Sequence, residues 1–156
     1  MPIYTIMAKR TTSGKVLTDL IIETFRFNGA LIEAGNRITE PLGLTSARWQ
    51  VLGAIEIAGQ DLTVSQIARR MGLSRQAVQR IVNDLVLLEM LKTNPNIDHK
   101  RSPIISLSKK GKKVMAEIDK LQGAWVNQLG DNLSERQINQ TLKLVQKLRK
   151  RLEENT

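Results

Sequence analysis

Five polar side chains recur at helical spacing between positions 75 and 83, and no acidic residue lies among them. They are Arg75, Gln76, Gln79, Arg80 and Asn83. Arginine can donate two hydrogen bonds to a guanine edge, and glutamine or asparagine can pair with an adenine edge. An ordinary solvated helix face would be expected to mix glutamate and lysine with such residues. The pattern therefore favours base contacts in a DNA groove over a plain solvated surface.

The surrounding residues predict two helices joined by a tight turn. One stripe of the first helix is apolar, at Ile67, Ala68 and Met71. Gly72 permits the left-handed conformation that ends a helix, and Ser74 can accept a hydrogen bond from a free N–H at the start of the next. The second helix should bury its own apolar stripe, which consists of Val78, Ile81, Val82, Leu85 and Leu88. This helix-turn-helix would expose Ser74 and the five polar side chains.

A short basic hairpin is predicted directly after the second helix. Segments 92–97 and 104–107 are typical of strands, and the first contains a proline that suits an edge strand. The tip between them contains His99, Lys100 and Arg101, which can contact phosphates or a neighbouring minor groove. We expect Arg101 to be the side chain that enters the groove.

Helices that carry apolar stripes flank this region. One is predicted from about Lys15 to Thr39, a second follows Ser108 as its N-cap, and a third begins near Ser134. Intramolecular packing is the simpler alternative, but a thin DNA-binding module cannot easily cover three long stripes. We therefore expect an intertwined homodimer. The second helix of each helix-turn-helix, which we call the recognition helix, would then lie about one DNA turn from its copy in the partner. Residues 1–14 have no helical period and could be disordered or cross onto the partner subunit.

Three segments together resemble the multiple antibiotic resistance regulator (MarR) family of winged-helix repressors. They are Leu44–Leu52, the helix pair at 63–83 and Arg101–Gly111, and the similarity extends over nearly the whole chain. The resemblance implies a mainly α fold with a small β-wing, and the whole chain, residues 1–156, would form a single MarR-like unit. Residues 45–107 would form the winged helix-turn-helix module, and residues 15–40 and 108–154 would form the dimerisation helices.

Members of this family are homodimers that bind pseudo-palindromic operators, and most respond to a small molecule or an oxidant. The resemblance thus implies a repressor that binds a double-stranded DNA operator and is released by a small-molecule effector. Effectors in the family often lie between the dimerisation helices and the winged domain, which here implicates Asn28, Arg48 and Trp49. A core position is the stronger interpretation of Trp49, and an ordinary surface position is the alternative for Arg48.

Three positions depart from the family pattern. His99 stands where an aspartate usually precedes the wing arginine, and the adjacent Asp98 can replace it in orienting Arg101. Glu89 stands where a glycine commonly turns the chain, and a left-handed conformation there would cost about 1 kcal/mol or more unless the helix ends differently. Pro103 removes one ladder hydrogen bond and should alter the shape of the wing.

The composition fits a nucleic-acid partner. The chain has 24 lysines and arginines against 15 acidic residues, a formal charge of +9 that favours phosphate backbones. These cations concentrate at 69–80, 92–113 and 143–151. We assign the first two stretches to DNA and the third to the solvated face of a dimerisation helix.

The same composition argues against several other classes. The chain has no cysteine, which excludes thiol sensing, and aromatics at 3% disfavour a stacking site for single strands. The chain has a single histidine and no catalytic glycine motif. We therefore predict that it is not an enzyme and has no metal or cofactor site. No run approaches a membrane span and no signal peptide is evident, so we expect a cytoplasmic protein. A nonspecific nucleoid-associated protein and a winged-helix protein-interaction module remain the alternative functions.

Overall fold

Helices dominate the described part of the chain, residues 9–155 of the computed structural model. A short 3₁₀ turn, Glu40–Leu42, joins the first two helices. The result is the mainly α fold with a small sheet that the sequence predicts. In chain order the elements are α1 (Thr12–Thr39), α2 (Ser46–Ala58), β1 (Leu62–Thr63), α3 (Val64–Met71), α4 (Arg75–Leu87), β2 (Leu91–Asn94), β3 (Ile104–Leu107), α5 (Lys109–Leu129) and α6 (Glu135–Glu154).

Helix α1 ends at Thr39, as its apolar period predicts, but it begins before the predicted Lys15. The hydroxyl of Thr11 accepts a hydrogen bond from the N–H of Gly14 at 3.0 Å, and this N-cap starts the helix at Thr12. Residues 1–8, most of the segment for which we expected disorder or a crossing onto a partner, lie outside the described residues.

The predicted helix-turn-helix is confirmed. Thr63 and Gln66 form a reciprocal capping box at the start of α3, with the N–H of Thr63 donating to Gln66 Oε1 at 2.8 Å. Gly72 ends α3 in the left-handed conformation, at a φ of 64°. The hydroxyl of Ser74 then accepts from the N–H of Ala77 at 3.1 Å and starts α4. Local capping chemistry therefore sets the corner between the two helices.

The strands form one antiparallel sheet with β3 in its centre, in the order β1-β3-β2. The sequence does not predict β1, because two residues are too short to show a strand period; Leu62 pairs with Ile105. Strand β2 ends at Asn94 rather than at the predicted residue 97. The next residue is Pro95, which has no N–H to continue the ladder.

One hydrophobic core lies behind α4 and supports the sheet. Val78, Val82 and Leu85 of α4 are buried, as predicted, whereas Ile81 and Leu88 are half-buried against the same core. Because these residues fill one face of the helix, its opposite face is left to solvent. The other buried members of this core come mainly from α2, α3, the sheet and the first part of α5, and include Val51, Leu52, Ile55, Leu62, Ile67, Ala68, Ile105, Met115 and Ile118.

The end of α4 is tied to the start of α5. Glu89 adopts the left-handed conformation, at a φ of 60°, at the position where the resemblance predicts a glycine. The hydroxyl of Ser108 donates to the carbonyl of Glu89 at 2.6 Å and accepts from the N–H of Gly111 at 2.9 Å, which confirms Ser108 as the N-cap of α5. A Cβ at Gly111 would collide with the carbonyl oxygen of Met90, so only glycine fits this close approach.

The junction between α4 and α5 contains the C-terminal part of the basic stretch at 92–113. Lys109–Lys113 begin α5 beside the end of α4, at the base of the β2–β3 hairpin where Leu91 pairs with Leu107. The hairpin tip lies at the other end of the ladder, beyond the pair of Asn94 with Ile104. The stretch therefore divides between the two ends of the hairpin, and its role in DNA binding remains a prediction.

The described chain divides into two units, one ending at Ile118 and one formed by Asp119–Thr156. In the second unit α6 has no buried residue, and in the first unit α1 buries only residues near its C-terminal end. Helices α1 and α6 both leave large apolar side chains exposed, among them Ile21, Ile22, Phe25 and Phe27 on α1 and Ile138, Leu142, Val145 and Leu152 on α6.

Among residues 9–155, none of the helices combines the length and apolar character that a membrane crossing requires.

Candidate nucleic-acid interface

The β2–β3 hairpin, residues 91–107, is the wing. An open cleft of about 540 Å³ lies between α4 and the wing, and we call it the α4–wing cleft. It joins two segments that are separate in the sequence, since α4 forms one wall and the residues that lead into β3 form the other. The start of α3 completes the lining. The residues of the cleft are Arg75, Gln76, Gln79, Arg80 and Asn83 from α4, Arg101, Ser102 and Pro103 from the wing, and Val64 and Ser65 from α3.

All five polar side chains of α4 are exposed and all five line the cleft. Ser74, which was predicted with them, is also exposed, but it is not among the lining residues and its hydroxyl oxygen caps the helix. The core on the other side of α4 holds the helix in place, so the positions of these side chains depend on rigid packing rather than on a loop. Such a face can present several hydrogen-bond donors to one ligand at once.

Contacts within the cleft orient two of these side chains. The Nη1 group of Arg75 donates to Ser65 Oγ at 3.3 Å, which directs the guanidinium towards the start of α3. The Nε2 group of Gln79 donates to Asn83 Oδ1 at 2.9 Å, one helical turn along. A guanidinium has five N–H donors and a primary amide has two, so each donor group keeps capacity for a further partner. Ser65 also lines the cleft, although no sequence pattern marks it as a site residue.

The cleft lining contains three arginines and no carboxylate. The first acidic residue of α4 is Asp84, and its carboxylate forms a 3.3 Å ion pair with Nη2 of Arg48 from α2. This pair links the start of α2 to the last turn of α4. Within residues 9–155, no three acidic or histidine side chains are grouped as metal ligands would be. The site therefore offers positive charge and hydrogen-bond donors, the chemistry that phosphates and base edges require.

The wing residues face different surroundings. Arg101 lines the α4–wing cleft, as expected for the side chain that enters a groove. His99 lines an adjoining cavity together with Asp98 and Arg69 of α3. Lys100 is exposed and borders neither cavity. Of the three wing residues predicted for DNA binding, one therefore shares a surface with the recognition helix.

The three predicted effector residues have separate surroundings. Asn28 is exposed on α1, and Arg48 pairs with Asp84. Trp49 is half-buried and packs against the core, the stronger of the two interpretations made from the sequence. Trp49 also lines an apolar groove between α2 and α3, which neither Asn28 nor Arg48 borders.

Comparisons with known proteins identify relatives of this chain. A sequence model of the MarR family matches residues 42–102. The uncharacterized protein Rv2011c of Mycobacterium tuberculosis is 37% identical over 112 residues, which is 72% of this chain and 77% of the relative.

Two solved structures are similar to this chain in fold. A MarR/EmrR family transcriptional regulator from Acinetobacter has a TM-score of 0.80 at 20% identity, over 89% of this chain and 98% of that one. A mutant MarR from Escherichia coli, complexed with operator DNA, has a TM-score of 0.69 at 23% identity, over 85% and 97% of the two chains. The helices and the winged sheet therefore follow an arrangement that these regulators share.

Proposed function

We propose that this chain, which belongs to the MarR family of DNA-binding transcription regulators, binds double-stranded DNA in a sequence-specific manner. Helix α4 would enter the major groove, and the wing would contact the adjacent backbone or minor groove. The observation that carries this proposal is the α4–wing cleft, where three arginines and three side-chain amides line one surface without a carboxylate.

Base discrimination would come from α4. Arg75 and Arg80 have the donor geometry for guanine, and Gln76, Gln79 and Asn83 can pair with adenine. Ser74 would add a hydroxyl near the start of the helix. His99, Lys100 and Arg101 would add contacts from the wing, and a contact to phosphate carries no sequence information of its own. Specificity would therefore depend on α4, whereas the wing would contribute affinity.

We further propose that the active form is a homodimer on a pseudo-palindromic operator. The apolar faces of α1 and α6 support this, because monomeric soluble proteins rarely expose contiguous apolar patches larger than a few hundred Å². Residues 15–40 and 108–154 would form the interface, and residues 45–107 the DNA-binding module. Two α4 helices would then occupy half-sites about 34–36 Å apart. Sedimentation measurements should give twice the chain mass, and a monomer at micromolar concentration would contradict the dimer.

Repression by occupation of a promoter is the regulatory role that we propose. A small-molecule effector would change the separation of the two recognition helices, and the region of Asn28, Arg48 and Trp49 is the proposed place for it to bind. The role can be tested with a reporter that carries the selected site in its promoter. Expression should fall when the protein is present, and increased expression would indicate an activator instead.

Selection of bound duplexes from a random pool tests the central proposal. A recovered motif with two-fold symmetry is expected, and its affinity should exceed that of a scrambled duplex by about a thousandfold or more. Equal binding of both duplexes, with a steep salt dependence, would instead favour a nonspecific nucleoid-associated protein, for which the charge of +9 is sufficient. No binding to any duplex would favour a protein-interaction module.

A further inference from the structure

The ladder between β2 and β3 stops where two prolines face each other. The register pairs Lys92 with Ser106 and Asn94 with Ile104. Continued by one position, it sets Pro95 opposite Pro103. Neither residue has a backbone N–H, so neither can donate a ladder hydrogen bond. The wing tip, residues 95–103, therefore needs other hydrogen bonds to hold a defined shape.

The side chain of Asn96 supplies these bonds from the next register position, where it lies opposite Ser102. Its Nδ2 group donates to the carbonyl of Ser102 at 2.9 Å. Its Oδ1 atom accepts from the N–H of Asp98 at 3.2 Å and from the N–H of His99 at 3.3 Å. A backbone bond from the N–H of Ser102 to the carbonyl of His99, 2.9 Å long, completes the turn. One amide thus joins both arms of the tip.

The burial of Asn96 agrees with its hydrogen bonds to the wing tip. Asn96 is half-buried, whereas every other residue from Lys92 to Arg101 is exposed. The side chain faces the interior of the turn, beside the cavity that Asp98, His99 and Ser102 also line. An asparagine there bonds backbone groups of its own loop, as in an Asx turn. The location and the bonds together indicate a structural residue rather than a surface contact.

We propose that Asn96 is a positioning residue: by ordering the wing tip, it holds Arg101 at the α4–wing cleft for DNA binding. Arg101 lies between His99 and Ser102, the residues that the Asn96 network fixes. A preformed tip loses less conformational entropy when it binds, so the network raises affinity without a contact of its own. This inference rests on the proposed function, because the benefit appears only when DNA is bound.

A double-mutant cycle on the selected duplex tests the proposal. Asn96→Ala should weaken binding by about tenfold, close to the effect of Arg101→Ala. In the Arg101→Ala background, Asn96→Ala should weaken binding by less than a further factor of about two, because both substitutions remove the same interaction with DNA. Asn94→Ala is the matched control: Asn94 also lies on the hairpin, but its Nδ2 group donates a solvent-exposed hydrogen bond to the hydroxyl of Ser106, at 2.9 Å, and to no backbone group of the tip. It should change affinity by less than about twofold.

Hydrogen exchange of the free protein gives a second measurement that does not involve DNA. Asn96→Ala should accelerate exchange of the amides of Asp98, His99 and Ser102, and should leave the amides of α4 unchanged. Unchanged exchange in the wing would overturn the proposal, as would additive losses of affinity in the cycle. A wild-type chain that binds no duplex would instead overturn the proposed function, and the exchange data would still report whether Asn96 orders the wing.

Discussion

Helix α4 and the wing form the two walls of one cleft, but different forces hold them. The polar face of α4 is fixed by a buried opposite face that includes Val78, Val82 and Leu85. The wing tip has no buried apolar side chain, and the side chain of Asn96 joins its two arms. Rigid packing suits α4, which would discriminate between bases, whereas local hydrogen bonds suffice for the wing, which would add affinity. Substitutions behind α4 should therefore lower the free energy of unfolding, and substitutions in the wing should mainly lower the affinity for DNA.

The largest expected effect tests the packing of α4. Leu85 is fully buried, so Leu85→Ala should lower the free energy of unfolding by about 2–5 kcal/mol, measured by urea denaturation. The matched control is Leu87→Ala, on the same helix but 82% exposed, which should change stability by less than about 0.5 kcal/mol. Similar losses for the two variants would contradict the division of α4 into a buried and an exposed face.

The next effect concerns specificity. Arg75→Ala or Gln79→Ala should reduce affinity for the selected site by about 1–3 kcal/mol and affect scrambled DNA less. Titrations of both duplexes at one salt concentration measure the difference. Lys100→Ala provides the control, because Lys100 does not line the cleft and should weaken both duplexes alike. Equal losses on all sequences for the α4 variants would argue against base contacts.

A smaller effect is expected in the wing. Arg101→Ala should weaken operator binding and, if the guanidinium contacts a phosphate, reduce the slope of log affinity against log salt by about one unit. The free energy of unfolding should stay within about 0.5 kcal/mol of the wild-type value, because Arg101 is exposed. Binding measured at several salt concentrations gives the slope. Unchanged affinity would remove the wing from the interface.

The smallest effect concerns the ion pair that links α2 to α4. The side chains of Arg48 and Asp84 are 29% and 47% exposed, so their coupling in a double-mutant cycle of unfolding should be about 0.2–1 kcal/mol. High salt should reduce it further. A coupling of several kcal/mol would mean that charge, and not only the apolar core, holds the recognition helix.

Much of the site was predictable because its causes are local. The apolar period of α4, the left-handed Gly72 and the cap at Ser74 operate within a few residues of one another, and all three are confirmed. The exposure of the five polar side chains follows from the same period. The family resemblance, also drawn from short motifs, agrees with the MarR family model that matches residues 42–102. The domain boundaries and the DNA-binding roles of individual residues remain predictions.

Sequence alone determined the helix pair and its polar face, because helical spacing and caps are encoded in neighbouring residues. Tertiary structure decided what depends on distant partners. Strand β1 has only two residues and exists because β3 pairs with it, and Arg48 meets Asp84 across 36 positions of the chain. The approach of Arg101 to α4 likewise depends on the path of the hairpin. Such contacts leave no periodic signal, since each is specified by packing between elements rather than by the order of residues within one.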